Sequence, residues 1–160
     1  MEKQYTAKDI AQMAVQAKNR GVDLYLTLAR NSENYHVARL FVELAKDEEK
    51  HKLQLKKWLD RLMENKREEA YPGETALYLK ALVDTSTFNC NSASKKALEK
   101  TINEEEALQA GITFEKDFML FLHDLKHYAD KEGDETIDLL IKDEMNHMSA
   151  IFELKEKIKQ

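Results

Sequence analysis

Lys18, Tyr25, Glu48, His51, Glu115, Glu144 and His147 are the residues of this chain whose types and spacing could do chemistry. Each falls on an otherwise apolar stripe of a helical repeat. A carboxylate in such a place is costly unless it is paired or bound to a metal. Glu and His at i and i+3 project from one side of a helix and can address a single point. That spacing occurs twice on inward stripes, in Glu48-Glu49-Lys50-His51 and in Glu144-Met145-Asn146-His147. Carboxylate oxygen and imidazole nitrogen together suit iron, manganese, zinc or nickel, and ligand type alone does not select among them.

Four amphipathic blocks must position these groups, because apolar residues recur at helical spacing. The first runs from about Ala7 to Arg30, with inward face Ala11, Ala14, Lys18, Gly21, Tyr25 and Leu28. The cluster Asn31-Ser32-Glu33-Asn34 breaks it and can start the second, from Tyr35 to about Asn65. The second face reads Val37, Phe41, Leu44, Glu48, His51, Leu55, Trp58 and Leu62. The third runs from Glu104 to Tyr128, with Leu108, Gly111, Glu115, Phe118, Leu122 and Leu125 inward. Asp130 to Asp134 reads as a turn, and the fourth block starts at Glu135. Its face is Ile137, Leu140, Glu144, His147, Ile151 and Leu154. Steps of three and four keep each set on one stripe. Short turns within each pair make the paired helices antiparallel.

The expected fold is therefore all-α: one domain, an antiparallel four-helix bundle of two hairpins, 7–65 and 104–159, joined by a crossover over 66–103. The crossover should carry a short helix near Thr75–Val83, since forty structureless residues inside a compact domain are uncommon. The hairpins resemble each other. Glu48 and His51 map onto Glu144 and His147 at a shift of 96, and Lys18 onto Glu115 at 97. Lys18 lies 13 residues before Asn31 and Glu48 14 after Asn34. At about 1.5 Å per residue, both sit roughly 20 Å from the turn, in one layer.

With these motifs in place, the chain resembles the rubrerythrin-like branch of the ferritin-like superfamily. The likeness lies in Gly21-Val22-Asp23-Leu24-Tyr25, in Leu44-Ala45-Lys46-Asp47-Glu48-Glu49-Lys50-His51, in Phe114-Glu115-Lys116-Asp117 and in Ile141-Lys142-Asp143-Glu144-Met145-Asn146-His147. The family pattern is a Glu on helices one and three and Glu-x-x-His on helices two and four. The resemblance implies Glu48, His51, Glu115, Glu144 and His147 as metal ligands, iron as the cofactor, and peroxide reduction or iron oxidation as the activity. It also implies an external electron donor, because the rubredoxin module needs paired Cys-x-x-Cys motifs and Cys90 is the only cysteine. Ferritin-like helices often associate, so a homodimer is expected.

Two positions depart from the family. Ile112 stands where rubrerythrins carry an additional Glu, and Lys18 replaces the helix-one ligand. An ammonium has no lone pair to offer a metal. Three Glu and one Lys leave a net charge of −2, enough for one divalent ion rather than two. The residual half-site is expected to be Glu115, Glu144 and His147, with Glu48 able to reach across, while His51 hydrogen-bonds a carboxylate. Lys18 either pairs with Glu48 or snorkels to the side of the bundle. The expectation is thus a rubrerythrin-like protein with one or two iron ions, or another divalent metal. The alternative is a metal-free scaffold or binding protein whose site has become an ion-pair core.

Composition narrows the remaining classes. Net charge is −5 with both signs interspersed and no basic stripe, so nucleic acid is not an expected partner. No apolar run is long enough for a membrane. A single cysteine and no apolar leader fit a reducing, cytoplasmic setting. His36, His123 and His127 lie off the inward stripes. Tyr25 should be core, with its hydroxyl on the carboxylate layer. Met13, Met63, Met119, Met145 and Met148 read as core filler.

Overall fold

The structure is a computed structural model, and it describes residues 6–64, 77, 78, 81, 103–127 and 129–160, the side chains of Ala7, Leu62 and Met63 excepted. Four long helices carry the described chain: α1 Ala7–Asn31, α2 Tyr35–Glu64, α3 Glu104–Lys126 and α4 Lys131–Ile158. Each start has a local cause. Thr6 and Asp9 form a reciprocal capping box at α1, and Asn103 and Glu106 form another at α3. Asn34 Oδ1 accepts from the backbone N–H of His36 and Val37 at the start of α2.

The start of α4 corrects the expected boundary. Asp130 to Asp134 is not a turn: Asp130 is the N-cap, accepting from Gly133 N at 2.7 Å, and the helix begins at Lys131. Gly133 misleads as a turn signal. A Cβ there would lie 2.6 Å from Cε2 and Nε1 of Trp58, so this glycine exists for close packing within a helix.

α1 pairs with α2 and α3 with α4, and the hairpins meet through α2 against α4 and α1 against α3. All inward residues named for α1 and α3 are buried, as are those of α2 through Trp58 and of α4 through Ile151. Leu154 is half-buried. Phe114, Phe118 and Phe121 form an aromatic wall along α3. Met145 overturns its reading as core filler: it is 56% exposed, since its place beside Glu144 points it away from the bundle axis. Met13, Met119 and Met148 are half-buried.

Most of the 66–103 segment, including Cys90 and most of the stretch near Thr75–Val83, lies outside the described residues, as do the side chains of Leu62 and Met63. Leu77 and Tyr78 are helical, and the Tyr78 hydroxyl donates to Asp124 Oδ2 at 2.7 Å. No helix among the described residues is long and apolar enough to cross a membrane.

Candidate metal centre

All seven residues singled out by spacing meet in one layer, and all are buried. α1 supplies Lys18 and Tyr25, α2 Glu48 and His51, α3 Glu115, and α4 Glu144 and His147. One ligand atom from each of Glu48, His51, Glu144 and His147 falls within 4.8 Å of the others. Glu115 completes the group from the third helix, with its Oε1 3.4 Å from His147 Nδ1.

Lys18 does not snorkel. Its Nζ donates to Glu48 Oε1 at 3.0 Å, sits 2.9 Å from Glu48 Oε2, and donates to Glu144 Oε1. It also lies 3.8 Å from the centroid of the Phe118 ring, a cation–π contact. Burial alone would pull the ammonium toward neutrality. The charges of Glu144, Glu48 and Glu115 outweigh this and hold it protonated, well above the ordinary lysine range. Tyr25 is fully buried, stacked on Phe41 and edge-on to Phe114, and its hydroxyl donates to Glu115 Oε1.

The two histidines are oriented by residues the spacing argument passed over. His51 Nε2 faces Asp143 Oδ2 at 3.2 Å, and His147 Nε2 faces Asp47 Oδ2 at 3.3 Å. Each Asp directly precedes the Glu of the opposite helix's motif, so the signal in the sequence was the repeated Asp-Glu-x-x-His. An ionised carboxylate only accepts, so it fixes the proton on Nε2 and turns Nδ1 inward. The rings stack with centroids 5.4 Å apart.

The inward atoms are short of partners. His51 Nδ1, His147 Nδ1, Glu115 Oε2 and Glu144 Oε2 are buried and make no hydrogen bond. Such groups carry a full desolvation cost unless something occupies the space between them. The two halves of the layer differ. Glu144 Oε1 serves Lys18 and lies 3.0 Å from His51 Nδ1. Glu144 Oε2 faces the other way, 3.6 Å from His147 Nδ1. Glu48 Oε2 also makes no hydrogen bond, but it lies 2.9 Å from Lys18 Nζ, so the Lys18 ammonium marks the His51 side of the layer.

Protonation follows this charge layout. Burial lowers the affinity of His147 for a proton, but Glu115 and Glu144 facing its Nδ1 push it up to about 10. His51 is raised as well, by Glu144 and Glu48 against its burial. Burial and the neighbouring Glu144 charge raise Glu115 well above the carboxylate range, while Lys18 draws Glu144 well below it against the effect of burial. Without a metal, the layer thus holds protons where ligand lone pairs would otherwise face a cation.

His36, His123 and His127 are exposed and take no part, as expected. Ile112 is half-buried against the core, so an apolar side chain occupies the place of the family's additional Glu.

Comparison with known proteins agrees with this geometry. The family model described as Rubrerythrin matches residues 9–155. Among solved structures, a Thermotoga maritima protein assigned to the ferritin-like diiron-carboxylate class superposes with a TM-score of 0.76 at 21% identity, over 98% of each chain. At that identity the superposition shows the shared fold. No curated protein matches the sequence. With a family match across nearly its whole length and a buried Glu/His cluster in a ferritin-like bundle, the chain belongs to the rubrerythrin family.

Proposed function

We propose that this protein binds one divalent redox metal ion, iron in the first place, on the His147 side of the layer, and that it handles iron or peroxide. The observation that supports the reading is the placement of Lys18: its ammonium pairs with Glu48 and with Glu144 Oε1, the oxygen nearest His51, while His147 Nδ1 faces the Glu115 and Glu144 carboxylates at 3.4 and 3.6 Å with no ammonium between them. Glu115, Glu144 and His147 would hold the ion, with Glu48 reaching across. Iron there supplies one-electron chemistry toward oxygen species.

The chain's own residues do the rest. Asp47 holds His147 with Nδ1 inward, and Tyr25 fixes Glu115 through its hydroxyl. Lys18 pairs with Glu48 and draws Glu144 well below the usual carboxylate range, and its positive charge would take the place of a second cation. Binding a cation requires His147 Nδ1 to lose its proton and Glu115 to ionise, so loading releases protons. Cys90, the lone cysteine, supplies no cluster ligand set, so any electrons would reach the layer from outside these 160 residues.

The Lys18 ion pairs also favour a second reading, a metal-free scaffold in which Lys18, Glu48 and Glu144 form a buried ionic core. Metal analysis of tag-free protein, before and after anaerobic Fe(II) addition, separates the two. One ion per chain followed by oxygen- or peroxide-dependent oxidation is the expected result. No bound ion would establish the scaffold instead.

A further inference from the structure

A pocket of about 280 Å³ lies between α2 and α4, lined by Asp47, Lys50, His51, Gln54, Asp143, Asn146 and His147. Lys50, Gln54 and Asn146 are exposed, so it opens to solvent. Its inner wall is the pair of stacked imidazoles. The same two rings present Nε2 to the carboxylates of the pocket and unpartnered Nδ1 to the buried carboxylate layer. The histidines are only 3% and 6% exposed, whereas the Asp47 and Asp143 side chains are about half exposed. Among the described residues that line the pocket, the two rings are the ones that also face the inner layer: each meets one carboxylate on the pocket side, at 3.2 and 3.3 Å, and inner carboxylates at 3.0 Å for His51 and 3.4 Å for His147.

We infer that this pocket is the loading door of the inner site, in which Asp47 and Asp143 capture a hydrated divalent cation and release His51 or His147 to swing and pass it inward. The inference rests on the metal-binding reading above. A cation drawn to Asp47 and Asp143 competes with the Nε2–H groups for the carboxylates, which frees the rings at the moment the ion arrives. Carboxylates at the mouth of a low-dielectric opening raise local cation concentration and on-rate by roughly tenfold or more. Lys50 opposes this: its Nζ lies 2.8 Å from Asp47 Oδ1 and covers half of the capture pair. The device is symmetric because the hairpins are repeated, with one Asp and one His contributed from each side.

The test uses full-length protein and Co(II), whose d–d absorption reports entry without redox chemistry, in stopped-flow association and chelator-driven dissociation. Asp47→Asn/Asp143→Asn keeps an oxygen acceptor for each Nε2–H and removes the charge. Its on-rate should fall roughly tenfold, lose much of its salt dependence, and fall without a faster off-rate. Lys50→Gln should bind faster than wild type, and Asn146→Trp, filling the pocket, should slow association and dissociation together. If the Asp variants keep the wild-type on-rate and only release Co(II) faster, the two aspartates merely orient the histidines and the door is refuted. Unchanged rates in Asn146→Trp would refute it too. Absence of Co(II) binding to wild type would overturn the metal-binding reading along with it, whereas the preceding outcomes leave that reading standing.

Discussion

On the proposed reading, Lys18 sets how many cations the layer can hold. It bonds two of the three buried carboxylates, Glu48 and Glu144, so removing its charge leaves both uncompensated. Lys18→Met should destabilise the metal-free protein by about 3–5 kcal/mol. Saturating divalent metal should recover most of that in chemical denaturation. Lys18→Glu completes four carboxylates and two histidines, a set that offsets two divalent ions. Elemental analysis of this variant should find two ions per chain, and one or none would show that more than Lys18 limits the site. Protonation sets a pH dependence at the same scale. The folded state raises His147 to about 10 from 6.5, so its stabilisation is complete below about pH 6.5 and is lost as pH rises through 10. Glu115 is shifted upward as well, so a proton it keeps in the fold is lost on unfolding, and its effect has the same sign. Metal-free protein should therefore be less stable at pH 9.5 than at pH 6.5, as read by denaturant titration, while its metal affinity rises over the same range.

Helices bring these groups to one depth, and close approach between helices is what the glycines allow. A Cβ on Gly21 would lie 2.6 Å from Phe114 Cζ and 2.8 Å from Glu48 Oε2. Gly21→Ala should cost about 1–3 kcal/mol by overpacking, and it should weaken metal binding because Glu48 must shift. A variant with wild-type stability and metal affinity would show that α1 and α3 separate freely at this level. Glu104 ties one hairpin to the other at the helix ends: its carboxylate accepts from Ser32 Oγ and from the backbone N–H groups of Glu33 and Asn34. The run Glu104-Glu105-Glu106 is readable as a helix start, since acids there complement the dipole. Nothing in its local pattern reveals that Glu104 also closes the α1–α2 turn. Asp130 is the converse case, where a glycine three residues on disguised an N-cap as a turn.

For the whole molecule, a metal ion in the layer would link the hairpins, because Glu48 belongs to the first and Glu115, Glu144 and His147 to the second. Binding to the folded state alone raises stability by about 2.7 kcal/mol at a hundredfold excess over Kd. Metal-loaded protein should therefore show a thermal midpoint that drops when a chelator strips the ion. An unchanged midpoint, with metal content shown to fall, would mean the ion sits outside the core.

The sequence by itself determined the four helices, the two-hairpin repeat and the inward placement of all seven polar groups. Helical periodicity states which side of each helix faces in, and a charge on an apolar stripe is visible in that pattern. Tertiary structure alone decided the pairings: Lys18 with Glu144 as well as Glu48, Tyr25 with Glu115, and each Asp with the histidine of the opposite helix. Those outcomes depend on the rotation and axial offset of one helix against another. Such offsets are set by how Gly21, Gly133 and the Phe114–Phe118–Phe121 wall pack, which no single helix's periodicity contains.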